Sequence, residues 1–352
     1  MRFREWRELR ESRRALIDPG WDKSLRRGLR RSRKPIKVGF GPIFTDETTL
    51  GNRKWHIDPI VDELNRHHTR YACGVFVEGE PLDRYDIIVV VKHEHYPNAE
   101  LVNHLQSQGK RVIYRGADLE FHNPETRENA LALIRSVDGI LASNPLSADD
   151  FRIYADFVEV APTPVINTLH KVNYGKTRKV SLIWQGFREN LETMEPLHRI
   201  LKQLLDRFPN QIEMVFHTDV ESREDGAVRF KKWKIDDWEQ TLIDSDIGVV
   251  IKPTDDPFQQ RKPPTKVLSY MAAGLPVVCT PSASDRLVIE EGKTGFFAET
   301  EEEWFEVLSR LIESPSLRES VGTAARLAVQ RDYSVAKISQ LYADFFEKVE
   351  SK

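Results

Sequence analysis

The chain has 352 residues, too many for one ordinary hydrophobic core and suited to two domains of about 150 residues each. Its 40% hydrophobic and 30% charged residues and its net charge of −3 are those of a soluble globular protein. No apolar run approaches the roughly 18 residues of a membrane-spanning helix, and the basic start has no apolar core after it, so no secretory signal is read and the cytoplasm is the expected compartment.

The charge is unevenly spread. Residues 1–34 carry thirteen Lys and Arg against five Asp and Glu, which leaves the body acidic. Residues 1–35 form a basic N-terminal segment in which Phe3, Trp6, Leu9, Leu16 and Ile17 fit part of one helical face. Two readings stand: a solvated charged helix or tail, and a peripheral contact with anionic headgroups at the inner membrane face. A nucleic-acid arm fits poorly, because the body is acidic and lacks interleaved basic and aromatic stretches.

From Lys37 a strand–helix alternation begins. KVGFG is a short strand and WHIDPIVDELNRH a helix. YACGVFV and YDIIVVV are strands, and AELVNHLQSQGK is a helix closed by Gly109. RVIYRG, DGILASN and VEVAPTPV are strands, separated by the helices ETRENALALIRSV and PLSADDFRIYA. The polar stretch NTLHKVNYGKTRK reads as an interdomain linker. A second series follows, with strands KVSLIWQG, IEMVFHT, DIGVVIKP and LPVVCTP and a strand-like VRF. Its helices are MEPLHRILKQLLDRF, DDWEQTLIDS, PTKVLSYMAAG, EEEWFEVLSRLIES, LRESVGTAARLAVQ and VAKISQLYADFFEKVE.

Strands apolar nearly throughout, alternating with amphipathic helices, are the mark of a parallel sheet covered on both faces. The fold class is therefore α/β, with two doubly wound, Rossmann-like parallel-sheet domains. The expected divisions are residues 1–35, 36–172, 173–330 and a last helix, 331–352, crossing back to the first domain through Ile338, Leu341, Tyr342, Phe345 and Phe346. Cys73 and Cys279 sit in apolar strands and read as small buried hydrophobes, with no metal or disulfide role.

Ligands of such sheets bind beyond the carboxyl ends of the strands. Gly39 and Gly41 end the first strand, but Phe44 stands where a dinucleotide fingerprint needs its third glycine, and no Walker A pattern exists. Gly41 thus reads either as a structural close approach or as ligand-facing. In the second half, the loop DDPFQQRKPP leads into a helix starting near Thr265. Free amides at a helix start, Thr265 to Val267 here, attract an anion, and Arg261, Lys262 and Lys266 add positive charge. A phosphate or diphosphate is the natural guest, and a solvated basic loop is the plain alternative. His93 and His95 follow the strand YDIIVVV, where a histidine can orient or deprotonate an acceptor hydroxyl, or simply occupy a loop.

Residues 244–350 resemble the C-terminal domain of family 4 type glycosyltransferases, the glycosyl transferases group 1. The carriers are DSDIGVVIKP, KVLSYMAAGLPVVCTP, IEEGKTGFFA and AARLAVQRDYSVAKISQLYADFF. The N-terminal half fits more loosely, through YDIIVVVKHEH, GKRVIYRGADLEF, LASNPLSADDF and VEVAPTPV. The resemblance implies the GT-B fold of two facing Rossmann-like domains. It also implies transfer of a sugar from a nucleotide-diphosphate sugar to a saccharide, lipid-linked or protein acceptor, with retention of configuration; no metal or other cofactor is expected, since the protein's own cations neutralise the diphosphate. It places Gln185, Gly186 and Arg188 at the donor phosphates, Lys232 and Trp233 near the nucleobase, and an acidic residue at Asp118 in the cleft. The family usually carries two glutamates eight positions apart, where this chain has Arg261 and Ser269. A serine hydroxyl still bonds a ribose, but an arginine cannot act as a carboxylate. Two alternatives stay open: a nucleotide-sugar epimerase on the same fold, and a degenerate protein that only binds a nucleotide sugar or a partner, which those departures support.

Overall fold

The structure is a computed structural model that describes residues 34–43, 50–91, 96–116, 120–122, 124–175, 179–253 and 255–352. The basic segment through residue 33, His93, His95 and Asp118 lie outside the described residues. The chain divides into two compact units, Met1–Pro164 with Val335–Lys352, and Val165–Ser334.

The first unit contains β1 (Ile36–Gly41), α1 (Leu50–His56), α2 (Asp58–His67), β2 (Tyr71–Val75), β3 (Ile87–Val91), α3 (Ala99–Ser107), β4 (Arg111–Gly116), α4 (Arg127–Ser136), β5 (Gly139–Ala142), α5 (Pro145–Arg152) and β6 (Val158–Val160). Its six strands run parallel in the order β2-β1-β3-β4-β5-β6. The run IIVVV in β3 is buried at every position, because helices cover both faces of the sheet. Helix starts follow their capping residues. The Asn98 side chain accepts from the Leu101 amide at 2.9 Å, and Asn144 and Ser147 form a reciprocal box ahead of Pro145.

The second unit contains β7 (Val180–Gln185), α6 (Glu195–Arg207), β8 (Ile212–Thr218), β9 (Arg223–Asp225), β10 (Val228–Lys232), α7 (Trp238–Ile243), β11 (Ile247–Val250), α8 (Pro257–Arg261), α9 (Thr265–Ala272), β12 (Val277–Cys279), β13 (Phe296–Phe297), α10 (Glu301–Glu313) and α11 (Pro315–Asp332). The order is β13-β12-β11-β7-β8-β10-β9, parallel except for the β9–β10 hairpin. That hairpin turns at Gly226, whose φ of 60° suits glycine. One core packs Leu182, Trp184, Phe216, Val249 and Trp304 under α6 and α10.

The last helix, α12 (Val335–Glu350), packs on the first sheet. Ile338, Tyr342, Phe345 and Phe346 are buried there and Leu341 is partly buried, with Phe345 stacked on Phe157 at 4.8 Å. Each such side chain withdrawn from water contributes about 1.5–3 kcal/mol.

The polar stretch after Val165 is fastened to the second unit through Gly175 rather than strung out as a tether. The Thr168 and Leu169 amides both donate to Glu239 at 2.7 Å. Lys171 is buried against Asp246 at 3.0 Å and donates to the Ser245 carbonyl at 2.7 Å. The Lys171 amide and the Tyr174 hydroxyl reach the carbonyls of Ala273 and Gly274 just past α9. Losing one partner of such a buried ion pair costs about 3–5 kcal/mol.

Candidate functional site

In the second sheet the strand order reverses between β11 and β7, the topological switch point at which open α/β sheets bind ligands. Beyond the carboxyl ends of these two strands lie Gly186 on one side and Lys252 on the other.

Helix α9 is held there from beneath. Val267, Leu268, Tyr270 and Met271 are buried. The Tyr270 ring passes against Gly248 of β11, where a Cβ would come within 2.5 Å of it. Its hydroxyl accepts from the Gln185 amide at 2.8 Å, tying the end of β7 to the helix. Gly274, with φ 78°, stops the helix in the left-handed region. At the other end Pro264 leads in and the Thr265 amide turns back to the Pro263 carbonyl. Among the described residues the amides of Lys266 and Val267 meet no acceptor, as expected for the first turn of a helix.

Lys266 extends from this first turn toward β7. Its ammonium lies 5.0 Å from the centre of the buried Trp184 ring. A Cβ on Gly186 would stand 3.1 Å from the ammonium and 2.7 Å from the indole, so the close approach requires glycine. No carboxylate forms an ion pair with Lys266 among the described residues. Burial, and then the nearby charges of Lys262 and Lys252, bring its pKa down to about 8. The result is a partly desolvated cation that makes no salt bridge among the described residues, with Asp285 as the carboxylate acting on it, beside backbone donors that meet no acceptor there.

The loop after β12 shapes the far wall. Asp285 is fully buried and meets the Lys252 ammonium at 2.7 and 2.9 Å. Ser282 donates to the same carboxylate at 2.6 Å, and Thr280 accepts from the Lys252 amide at 2.8 Å. Ser284 donates to the Lys262 carbonyl at 2.7 Å, and the Ala283 amide donates to the Gln260 side chain at 2.8 Å. One loop thus holds both Lys252 and the approach to α9.

The sequence-predicted residues fall into groups. Gln185, Gly186, Lys266, Val267 and Ser269 gather at the end of β7 and on α9. Val267 is wholly buried, so only its backbone can meet a ligand. Ser269 is buried with its hydroxyl unpartnered among the described residues. Thr265 is exposed at the helix start, Arg261 is half-buried at the end of α8, and Lys262 is exposed with its ammonium 5.5 Å from the Phe258 ring. Arg188 is turned onto Asp219, with its amide and Nε each donating at 2.7 Å, and that contact holds the Asp219 carboxyl below its usual range. Lys232 pairs with Glu221 at the end of β10. Trp233 is half-buried beside it, its amide donating to the Thr218 carbonyl at 2.6 Å, whereas Trp238 is the core tryptophan of this region. In the first unit, Gly41 backs onto the Phe76 carbonyl, 2.5 Å from where a Cβ would sit, and packing accounts for it. Cys73 and Cys279 are free and buried, and burial pushes both thiols up.

Sequence reasoning missed Lys252, Asp285, Asp219, Tyr270 and His217. Lys252 had a usable signal, since it follows the last apolar residue of a strand. His217 is fully buried at the end of β8, both ring nitrogens are unpartnered among the described residues, and burial lowers its pKa to about 4. No group of three or more His, Cys, Asp or Glu side chains suited to a metal occurs among the described residues.

Residues 186–314 match the family profile of glycosyl transferases group 1. No curated protein sequence matches the chain. Among solved structures, the chain superposes on the sucrose-phosphate synthase of Thermosynechococcus elongatus with a TM-score of 0.66 at 12% identity, covering 90% of this chain and 99% of that one. HepE of Anabaena, solved in complex with UDP, gives 0.63 at 13% identity over 89% and 100% of the two chains. A provisionally named UDP-N-acetylglucosamine 2-epimerase of Listeria monocytogenes gives 0.57 at 13% identity over 90% and 98%. The fold is GT-B, and the stretch matched by the family profile spans the loop after β7, α9 and the loop after β12.

Proposed function

We propose that the chain moves a sugar from a nucleotide-diphosphate sugar to a hydroxyl acceptor, with retention of configuration, in the synthesis of a polysaccharide or glycoconjugate. The observation that carries this reading is the Lys266 ammonium, which makes no salt bridge among the described residues, beside the first-turn amides of α9, which meet no acceptor among them. Glycosyl transfer builds negative charge on the departing diphosphate. Donors fixed in advance around that charge lower the barrier in the manner of an oxyanion hole. Lys266 takes the diphosphate, Lys262 and Arg261 add long-range attraction, and these cations do the neutralising that a metal would otherwise do. The Ser269 hydroxyl, buried and without a partner among the described residues, suits a ribose hydroxyl, and Trp233 at the end of β10 suits a nucleobase. HepE binds UDP on the same fold, so UDP-sugars are the first donors to try. The first unit is read as the acceptor side, with His93, His95 and Asp118 as its candidate polar groups.

No helix among the described residues is long and apolar enough to cross a membrane. The basic segment, residues 1–35, supports peripheral attachment to an anionic inner membrane face and a lipid-linked acceptor.

One specific observation favours a second reading. Arg261 and Ser269 replace the glutamates of the family pattern, which fits a non-catalytic binder, and an epimerase on the same fold is the other alternative. A thermal-shift screen with UDP, GDP, ADP, CMP and dTDP and their sugars, on the native protein and Lys266→Ala, tests the donor site. A midpoint raised by one nucleotide and lost in the variant supports it. No shift at millimolar ligand in folded protein overturns it. Product analysis then separates transfer, which needs an acceptor, from epimerisation, which does not.

A further inference from the structure

We propose that Lys252, locked to the buried carboxylate of Asp285, is a positioning residue of the diphosphate site that acts on the ligand through Lys266. This rests on the reading of α9 as a diphosphate site.

Lys252 follows β11, the strand paired with β7, and the Lys266 ammonium lies against Trp184 and Gly186 at the end of β7. The Lys252 ammonium spends its donors on both oxygens of Asp285, and its backbone is fixed by Thr280 through two bonds, amide to hydroxyl at 2.8 Å and hydroxyl to carbonyl at 3.2 Å. Asp285 is itself fixed by Ser282, which donates to Oδ2 at 2.6 Å and accepts from the Asp285 amide at 3.2 Å. The same loop secures Lys262 by its carbonyl. The charges acting on the Lys266 ammonium are therefore Lys262 from the turn after α8, Lys252 from the end of β11 and Asp285 from the loop after β12. β7 presents the Trp184 ring and Gly186, neither of them charged. A lone buried pair between Lys252 and Asp285 would need nothing from Lys266. Placing it at the switch point makes it the setting against which Lys266 holds or releases its proton.

The empty site is costly because like charges are gathered in a partly dry pocket. A diphosphate relieves that cost, and its departure restores it. The pocket accordingly binds the anion with Lys266 protonated. Above about pH 8, where the Lys266 ammonium of the free protein loses its proton, binding must also take up a proton. Affinity then falls by about tenfold per pH unit.

The neighbours move that break in opposite directions. Lys252→Met removes a cation and leaves Asp285 to favour the charged Lys266, so the break rises. Asp285→Asn frees the Lys252 charge, so the break falls. Each displacement is expected to be about half a pH unit or more, and Lys252→Arg keeps the native value. A purely structural role for the pair would lower stability in both variants without shifting the break in opposite senses.

The experiment is calorimetric titration with UDP, with GDP and inorganic pyrophosphate in parallel, across about pH 6.5 to 9.5. Native protein, Lys252→Met, Asp285→Asn and Lys252→Arg are compared. Should a single variant fail to fold, the double variant Lys252→Met/Asp285→Asn leaves no unpaired buried charge, and its break is expected above the native one, because Lys252 acts more strongly on Lys266 than Asp285 does. Opposite shifts, or the raised break of the double variant, support the proposal. A break common to all proteins overturns it and leaves the diphosphate reading intact. Native protein that binds none of the three ligands removes the diphosphate reading, and the proposal with it.

Discussion

The Tyr270 hydroxyl accepts a 2.8 Å hydrogen bond from the Gln185 amide, so the helix that offers Lys266 and the strand end that offers Gly186 are fastened together inside the second unit. Tyr270 is fully buried, and burial raises its phenol well above the ordinary value, so it stays protonated at any working pH. Tyr270→Phe keeps the ring and removes the acceptor. Leaving the Gln185 amide unsatisfied costs about 1–3 kcal/mol. The thermal midpoint is expected to fall, and UDP affinity with it, which paired melting and titration experiments would read directly.

Gly186→Ala probes the close approach of β7 to Lys266. The new methyl would meet the Trp184 ring at 2.7 Å, and Trp184 is walled in by Phe216 and the core. Lys266 is the group able to move. Overpacking of this kind costs about 1–3 kcal/mol. Nucleotide affinity is expected to fall by more than the stability loss explains, because the displaced ammonium is the one that meets the diphosphate. Unchanged affinity in a destabilised but folded protein would contradict the assigned role.

Ser269→Ala separates packing from binding. The hydroxyl is buried and bonds nothing among the described residues, so its removal is expected to leave the melting temperature nearly unchanged or slightly raised. If the hydroxyl meets the ribose, the Kd for UDP rises about tenfold, the worth of one hydrogen bond of about 1.4 kcal/mol. Comparison with ribose-free pyrophosphate checks the assignment, since pyrophosphate binding should not change.

His217 makes the second unit sensitive to acid. Its folded pKa is about 4, against about 6.5 for an exposed imidazole. The unfolded chain therefore binds a proton between these values that the native protein refuses. The stability that follows from a neutral His217 is complete above about pH 6.5 and is lost as pH falls toward 4. The full difference is of the order of 3 kcal/mol. Chemical denaturation at neutral pH and near pH 4.5 should show a smaller loss for His217→Leu than for the native protein.

The fold was largely legible in the residues. IIVVV in β3 and VVC in β12 are buried throughout, and apolar runs between amphipathic helices leave few alternatives to a parallel sheet. Gly274 announced the end of α9 because few other residues tolerate φ 78° there. Strand β9 was not legible: Arg-Glu-Asp is exposed at all three positions, and only its pairing with β10 makes it a strand. The polar stretch from Asn167 read as a tether because its anchors, Glu239, Asp246 and Ala273, are remote in sequence.

The sequence by itself determined two α/β units, the basic entrance to α9 and the place of Lys266 in its first turn. These follow from local periodicity, capping and turn chemistry, which neighbouring residues encode. Tertiary structure alone decided which charges remain available. Arg188 is drawn to Asp219 and Lys232 to Glu221, while Lys252, 33 residues from Asp285, becomes part of the site. Charge and burial act through space, and the energy of an ion depends on partners that only the closed fold brings within reach.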